Sequence, residues 1–357
     1  MKILIAYGDA NKYFHLKEFG EALSKLGVEY KLVKDIDYVV GFPSKKIKKL
    51  IQSNRKFKKL VEEFAPDAIF VDRQNQFGVE AIKAKIPLFV LLRGHVWDEV
   101  KMAKKTLHKG PIIRSALWFR NKTAERCFKD STMILPICTY LENIVKERFP
   151  NHHTAVFFEG MNPSHWYQTK GTNLKHPCVG LLQHAFWWGK TKEMLVLKKA
   201  LKSLPDVHFY WVGFGKYEER ILEELKSFDN FHWMGAFPWK QYPDNVRDFL
   251  SEIDIYALPT GMDLAPLSLK EAQLMKKPVL ATDVGGVSEM MLDKESGFLI
   301  EEGNSEKWVE KISFLLKNEN IRKEMGNKGN EFVTKTFNWE ISAKNFLWLL
   351  DSCIAKK

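Results

Sequence analysis

Short runs rich in branched and aromatic residues alternate with amphipathic helical patterns along all 357 residues. That rhythm restricts the chain to parallel sheets joined by helical crossovers. The first series of strand-like runs is Lys2–Tyr7, Glu29–Val33, Ala68–Val71, Pro87–Leu92, Thr132–Pro136 and Ala155–Phe158. The stretch 159–177 then breaks the pattern with polar residues, two glycines and two prolines. A second series follows at Cys178–Leu182, Val207–Gly213, Phe231–Met234, Asp254–Leu258, Pro278–Thr282 and Gly297–Ile300. Two α/β domains are therefore expected, at 1–165 and 166–338, each long enough for its own core. A cleft facing the carboxyl ends of both sets of strands is the expected place for ligands.

The charge is unevenly placed. Residues 1–170 hold 30 Lys+Arg against 18 Asp+Glu, a balance of +12, whereas the rest hold 25 against 26. The first half thus faces something anionic. Within it, Ser44–Phe64 has apolar residues at helical spacing and a basic face formed by Lys45, Lys46, Lys48, Lys49, Arg55, Lys58 and Lys59. Such a helix packs its stripe on a sheet, and its lysine face suits anionic lipid headgroups. The segment Lys101–Arg126, with Trp118 and Phe119, extends the same surface. No RNA-binding signature accompanies the charge, so a nucleic-acid partner is not expected.

With 45% hydrophobic and 28% charged residues the chain is globular rather than disordered. No apolar run approaches the ~20 residues that span a bilayer. The amino terminus reads as a first strand, not a signal peptide, and a cytoplasmic location is expected, with at most peripheral contact at the cytosolic membrane face. Cys127, Cys138, Cys178 and Cys353 form no C-x-x-C pair, so neither a zinc site nor a disulfide framework is expected. Asp35-x-Asp37 has metal-binding spacing without a third ligand nearby and reads as a solvated loop.

The second half carries the densest chemistry: Asp254-Ile-Tyr-Ala-Leu-Pro-Thr260, Asp263-x7-Glu271, and Lys277-Pro-Val-Leu-Ala-Thr-Asp-Val-Gly-Gly-Val-Ser-Glu289. A loop after Pro259 leading into a helix near Pro266 turns backbone N–H groups around Leu264, Ala265 and Leu267 toward an anion, with a positive dipole end behind them. That suits a sugar diphosphate. Glu271 can offer a carboxylate to a cis-diol through charge-assisted hydrogen bonds. Gly285-Gly286 and Gly213-x-Gly215 follow strands, where backbone can approach phosphate closely. Lys190 and Lys192 supply cations after the Cys178–Leu182 strand, and His95 ends the Pro87–Leu92 strand with a polar group.

These runs resemble the donor-binding domain of family-4 glycosyltransferases of the GT-B fold, with the pattern D-V-F-V-x-P-S, E-x7-E and K-P-V-(x)n-D-x-G-G-x-x-E. The resemblance extends more weakly over nearly the whole chain, through the first strand and its Gly8 turn, His95, Val212-Gly-Phe-Gly215, Met234-Gly235 and Phe337-Asn-Trp-Glu340. It implies two Rossmann-like domains, with a C-terminal helix at about 339–357 returning to the first. It also implies a metal-independent, retaining transferase that takes sugar from a nucleotide-diphosphate sugar, needs no cofactor, and delivers it to a glycan or lipid-linked acceptor. Glu271 then holds the ribose, and Asp263, where the family usually has Glu, binds hydroxyls of the transferred sugar. His95 sits near the reacting carbon, Gly8 lies beneath the diphosphate, and Lys192, or else Lys190, compensates the leaving group. The family's Arg after the first strand of this domain is replaced by Leu181 or Leu182, with Gln183 or His184 as partial substitutes. A nucleotide-sugar epimerase of the same fold and a non-catalytic partner subunit remain alternatives.

Overall fold

The computed structural model of the chain describes residues 1–8, 12–40, 47–98 and 111–354. The chain divides into two compact units, Met1–Gly160 with Trp339–Lys357, and Met161–Asn338.

In the first unit β1 (Lys2–Tyr7), β2 (Glu29–Lys34), β3 (Ala68–Asp72), β4 (Leu88–Leu92) and β5 (Met133–Pro136) form one parallel sheet in the order β2-β1-β3-β4-β5. All residues of β3 and β4 are buried, as expected of strands covered on both faces. The expected strand at Ala155–Phe158 is absent. The chain there runs beside β5 with one isolated bridge, Ile134 to Thr154, and an amide bond from Phe157 to the Pro136 carbonyl.

The helix Trp339–Ile354 belongs to this unit. The Trp339 indole donates to Glu18 (3.0 Å), and the Phe346 ring packs on Phe19, Phe70 and Phe89. The helix Ile47–Phe64 buries Phe57, Leu60 and Phe64 and exposes Arg55, Lys58 and Lys59. Lys45 and Lys46 lie outside the described residues, as do the side chains of Lys48 and Lys49.

In the second unit β6 (Cys178–Leu182), β7 (His208–Val212), β8 (Phe231–Gly235), β9 (Ile255–Leu258), β10 (Val279–Thr282) and β11 (Gly297–Ile300) form a parallel sheet in the order β11-β10-β9-β6-β7-β8. Trp211 and Trp308 fill the core on one face. The unit begins at Met161, before the expected boundary at 165, because the Met161 amide bonds the Phe337 carbonyl (2.7 Å) and Arg247 donates to the His165 carbonyl (3.0 Å). Strand order reverses between β6 and β9 here and between β1 and β3 in the first unit. Loops that leave the carboxyl ends of such strands diverge and open a crevice for ligand.

Among the described residues no helix is long and apolar enough to cross a membrane.

Candidate active site

At the β6/β9 reversal three loops converge on Asp263. The loop after β9 is tied to the loop after β6 by the Gly261 amide, which donates to the Lys190 carbonyl (2.9 Å). A Cβ at Gly261 would lie 2.2 Å from the Gly189 carbonyl oxygen, so only glycine permits that approach. The Lys190 ammonium pairs with the Asp263 carboxylate. The loop after β10 joins through the Gly286 amide, which donates to the Asp263 carbonyl (3.2 Å).

Gly285 adopts φ +57°, and a Cβ on it would stand 2.1 Å from that same carbonyl oxygen. Gly285→Ala is expected to push the two loops apart, lowering stability by about 1–3 kcal/mol and weakening nucleotide binding in parallel. Thermal melts with and without nucleotide measure both effects, and a variant that keeps both values would count against the loop contact.

Glu271 sits on the helix Leu267–Leu274, which starts after Pro266. Its carboxylate is buried and accepts a hydrogen bond from the Tyr242 hydroxyl (2.7 Å). Beneath it the Tyr256 hydroxyl lies 2.6 Å from Ser268 Oγ and 3.3 Å from the Leu182 carbonyl. Burial pushes the Tyr256 pKa far up, so the group stays neutral. Tyr242 was not legible in the sequence: no motif marks it, and it reaches Glu271 from the segment after β8.

Gly213 closes the turn after β7, where a Cβ would lie 2.0 Å from the Gln183 carbonyl oxygen; that oxygen also accepts from the Trp211 indole (2.8 Å). At the position expected to compensate for the missing Arg, the Gln183 side chain is buried with no hydrogen-bond partner for its amide oxygen or nitrogen. Beside it His184 packs edge-on to Phe214 and near Trp239, both exposed, giving an aromatic rim at the ends of β6 and β7.

Two placements differ from expectation. The Lys192 ammonium is half-exposed and pairs with Glu302 (3.3 Å), while Lys190 is the lysine against Asp263. The cause is local: Trp188–Thr191 forms one helical turn, and a tighter turn from Lys192 to Val196 then rotates Lys192 outward. The Leu264 amide, expected to face an anion, instead donates to Asp263 Oδ1 (2.9 Å). Ala265 lies in that loop, and Leu267 begins the helix.

The first unit gathers charge at its own strand ends. Arg93, directly after β4, is buried and pairs with Asp72 at the end of β3 and with Glu159, both also buried. Burial opposes the guanidinium charge, but Glu159 and Asp72 outweigh it and hold the Arg93 pKa above its ordinary value. Lys12 lies nearby, with its pKa lowered by burial and then by Arg93.

Asp35 is not the solvated loop residue expected. Asn75 donates to it (2.6 Å), and burial raises its pKa because the end of β2 folds it toward Asn75 and Gly8. Asp37 stays exposed. His95 is part-buried; its Nδ1 accepts from the Asp98 amide (3.2 Å), and its Nε2 lies 3.4 Å from the Asp98 carboxylate.

The profile of the glycosyl transferases group 1 matches residues 188–332, the segment that holds these converging loops. An uncharacterized glycosyltransferase of Methanocaldococcus jannaschii is 30% identical over 230 residues, covering 63% of this chain and 62% of its own length, so the chain spans less than two thirds of that relative. Among solved structures, sucrose-phosphate synthase from Thermosynechococcus elongatus superposes with a TM-score of 0.77 at 14% identity, covering all of both chains. HepE of Anabaena in complex with UDP-glucose gives 0.72 at 13%, over 99% of this chain and 100% of that one. Residues 188–332 thus match the group 1 glycosyl transferases, and the chain has the GT-B fold.

Proposed function

We propose that this protein is a retaining glycosyltransferase that moves a sugar from a nucleoside-diphosphate sugar to a glycan or lipid-linked acceptor at the cytosolic face of an anionic membrane. The observation that carries the donor half is the meeting of Lys190, Asp263 and the Gly285-Gly286 turn at a strand-order reversal, with buried Glu271 one helix turn beyond. Glu271 grips the ribose diol through two charge-assisted hydrogen bonds. Asp263 holds hydroxyls of the transferred sugar. The Lys190 ammonium, the helix start at Leu267 and the glycine turns take up the charge that develops on the leaving diphosphate, so a resident metal and cofactor are not part of the proposed chemistry.

Substitution separates the two lysines. Lys190→Ala is expected to lower kcat by about two to three orders of magnitude, the usual cost of removing one preorganised donor to developing charge. Lys192→Ala, a half-exposed surface pair, is expected to change it less than threefold, within about 1 kcal/mol. Equal losses in the two variants would remove Lys190 from its proposed role.

The acceptor half rests on surface chemistry. The helix Pro111–Lys129 buries Leu117, Ala124 and Phe128 and exposes Trp118, Phe119, Arg114, Arg120, Lys122 and Arg126. Trp118 and Phe119 pack edge to face at 4.9 Å, and the Lys122 ammonium lies 4.7 Å from the Trp118 ring. Amphipathic rings within a basic field suit an anionic lipid interface.

The test is a panel of UDP, GDP and ADP sugars incubated with protein and vesicles of anionic or neutral lipid, following release of nucleoside diphosphate and transfer of label to lipid or glycan. Product that needs both donor and acceptor supports the reading. Interconversion of the sugar with donor alone points to an epimerase, and absence of nucleotide binding points to a partner subunit; either result overturns it.

A further inference from the structure

At the amino ends of β6 and β9, the opposite end of the sheet from the candidate active site, a second constellation is assembled. His176 and Cys178 lead into β6, Glu252 and Asp254 lead into β9, and the register sets Val179 beside Ile255. The Asp254 amide donates to the Cys178 carbonyl (3.2 Å), and the Cys178 amide donates to Asp254 Oδ2 (2.8 Å), fixing the two strand starts to each other. Among the described residues, the ligand atoms of His176, Cys178 and Asp254 lie within 4.8 Å of one another.

We propose that His176 Nδ1, Cys178 Sγ and Asp254 Oδ form a binding site for a divalent zinc-type ion. His176 Nδ1 lies 2.9 Å from Asp254 Oδ2 and 3.7 Å from Cys178 Sγ. Tetrahedral coordination at usual zinc–nitrogen, zinc–oxygen and zinc–sulfur lengths sets ligand atoms about 3.3–3.6 Å apart, so the two distances from Nδ1 need shifts of a few tenths of an ångström, while Cys178 Sγ and Asp254 Oδ, within 4.8 Å of each other, close by up to about an ångström. The other imidazole nitrogen, Nε2, lies 3.1 Å from Glu252 Oε1. A carboxylate on the far nitrogen is the arrangement that orients a metal-bound histidine.

Mixed sulfur, nitrogen and oxygen donors favour zinc over the hard cations calcium and magnesium. Charge also closes. The Cys178 thiolate, Asp254 and Glu252 supply three negative charges, which a dication and the neighbouring Lys277 ammonium balance; that ammonium donates to the Ser251 carbonyl (2.9 Å). On binding, the thiol proton leaves to water. His176 is 43% exposed, which gives the ion an entry path and leaves water as the fourth ligand. Such an ion would clip the starts of β6 and β9, a structural role separate from sugar transfer.

The sequence expectation of no zinc site rested on the lack of a C-x-x-C pair. Here the ligands come instead as H-x-C and E-x-D on neighbouring strands, a pairing that no sequence spacing displays.

The test uses the whole chain, stripped with chelator and titrated with Co(II) and then Zn(II). One Co(II) per chain is expected, with a thiolate-to-cobalt charge-transfer band and intense tetrahedral d–d bands, both displaced by Zn(II). Cys178→Ser should abolish the charge-transfer band. In case that variant misfolds, His176→Gln and Glu252→Gln are exposed or part-exposed substitutions, and each is expected to weaken Co(II) affinity by about tenfold or more. No band in the wild type, a band that survives Cys178→Ser, or an affinity unchanged in both other variants overturns the site.

Discussion

Glu271→Ala is expected to abolish stabilisation by nucleoside diphosphate and to lower kcat/KM by about two to four orders of magnitude. The size follows from the bonds lost: two charge-assisted hydrogen bonds to a diol contribute about 1.5–3 kcal/mol each, and each 1.4 kcal/mol is about tenfold. The buried setting of Glu271 favours the upper part of that range, because water does not compete for the carboxylate.

Two controls separate binding from folding. Tyr242→Phe removes the hydroxyl that donates to Glu271 Oε1 but leaves the carboxylate, and less than a tenfold loss is expected. Glu271→Gln keeps one acceptor and should fall between the two. A thermal-shift panel of UDP, GDP and ADP reads the binding directly, since a ligand that binds only the native state raises stability by RT ln(1 + [L]/Kd). If wild type and Glu271→Ala respond equally to the nucleotide that stabilises best, the ribose assignment is wrong.

Much of the fold was legible because parallel strands buried on both faces leave continuous apolar runs. β3, β4, β9 and β10 are such runs, buried throughout. Ala155–Phe158 looks the same in sequence, yet it lies beside β5 with only one bridge, since an apolar run reports burial and not pairing. The proposed donor constellation can be traced in the sequence because Asp263, Glu271 and Gly285-Gly286 lie within one loop–helix–strand–turn passage. Their spacing along the chain therefore largely sets their spacing in the molecule.

Direction was less legible than position. Lys190 and Lys192 differ by two residues, and the tightened turn at Lys192–Val196 decides which of them meets Asp263. Least legible were groups brought together by sheet order. Asp35 meets Asn75 and Gly8 from separate elements, Tyr242 meets Glu271 from beyond β8, and His176 meets Asp254 across β6 and β9. Strand order is set by crossover packing, which leaves no local mark on any of these residues.

The Arg93 cluster is of this last kind, and it carries the second large expected effect. Arg93, Asp72 and Glu159 are buried together at the strand ends of the first unit, with side-chain exposures of 3%, 2% and 4%. Arg93→Met keeps most of the side-chain volume and removes the cation, leaving two buried carboxylates facing each other. Breaking a buried ion pair from one side costs about 3–5 kcal/mol, which in a unit of this size lowers Tm by about 6–20 °C at 2–4 °C per kcal/mol.

The sign with pH follows from what remains. In the variant the two carboxylates keep one nearby cation, Lys12, in place of two, so the folded state takes up protons more readily than the unfolded chain, and stability rises as pH falls. The wild type retains Arg93 charged, its pKa held up by Glu159 and Asp72, and has no such gain from this cluster. The gap between variant and wild type is therefore widest at neutral pH and narrows toward mildly acidic pH. Asp72→Asn in the Arg93→Met background should recover part of the loss, because it removes one of the two carboxylate charges and keeps the shape. Calorimetric melts of the whole chain across that pH range measure both effects. A gap that stays constant with pH, together with no recovery in the double variant, would show that Arg93 acts by packing alone.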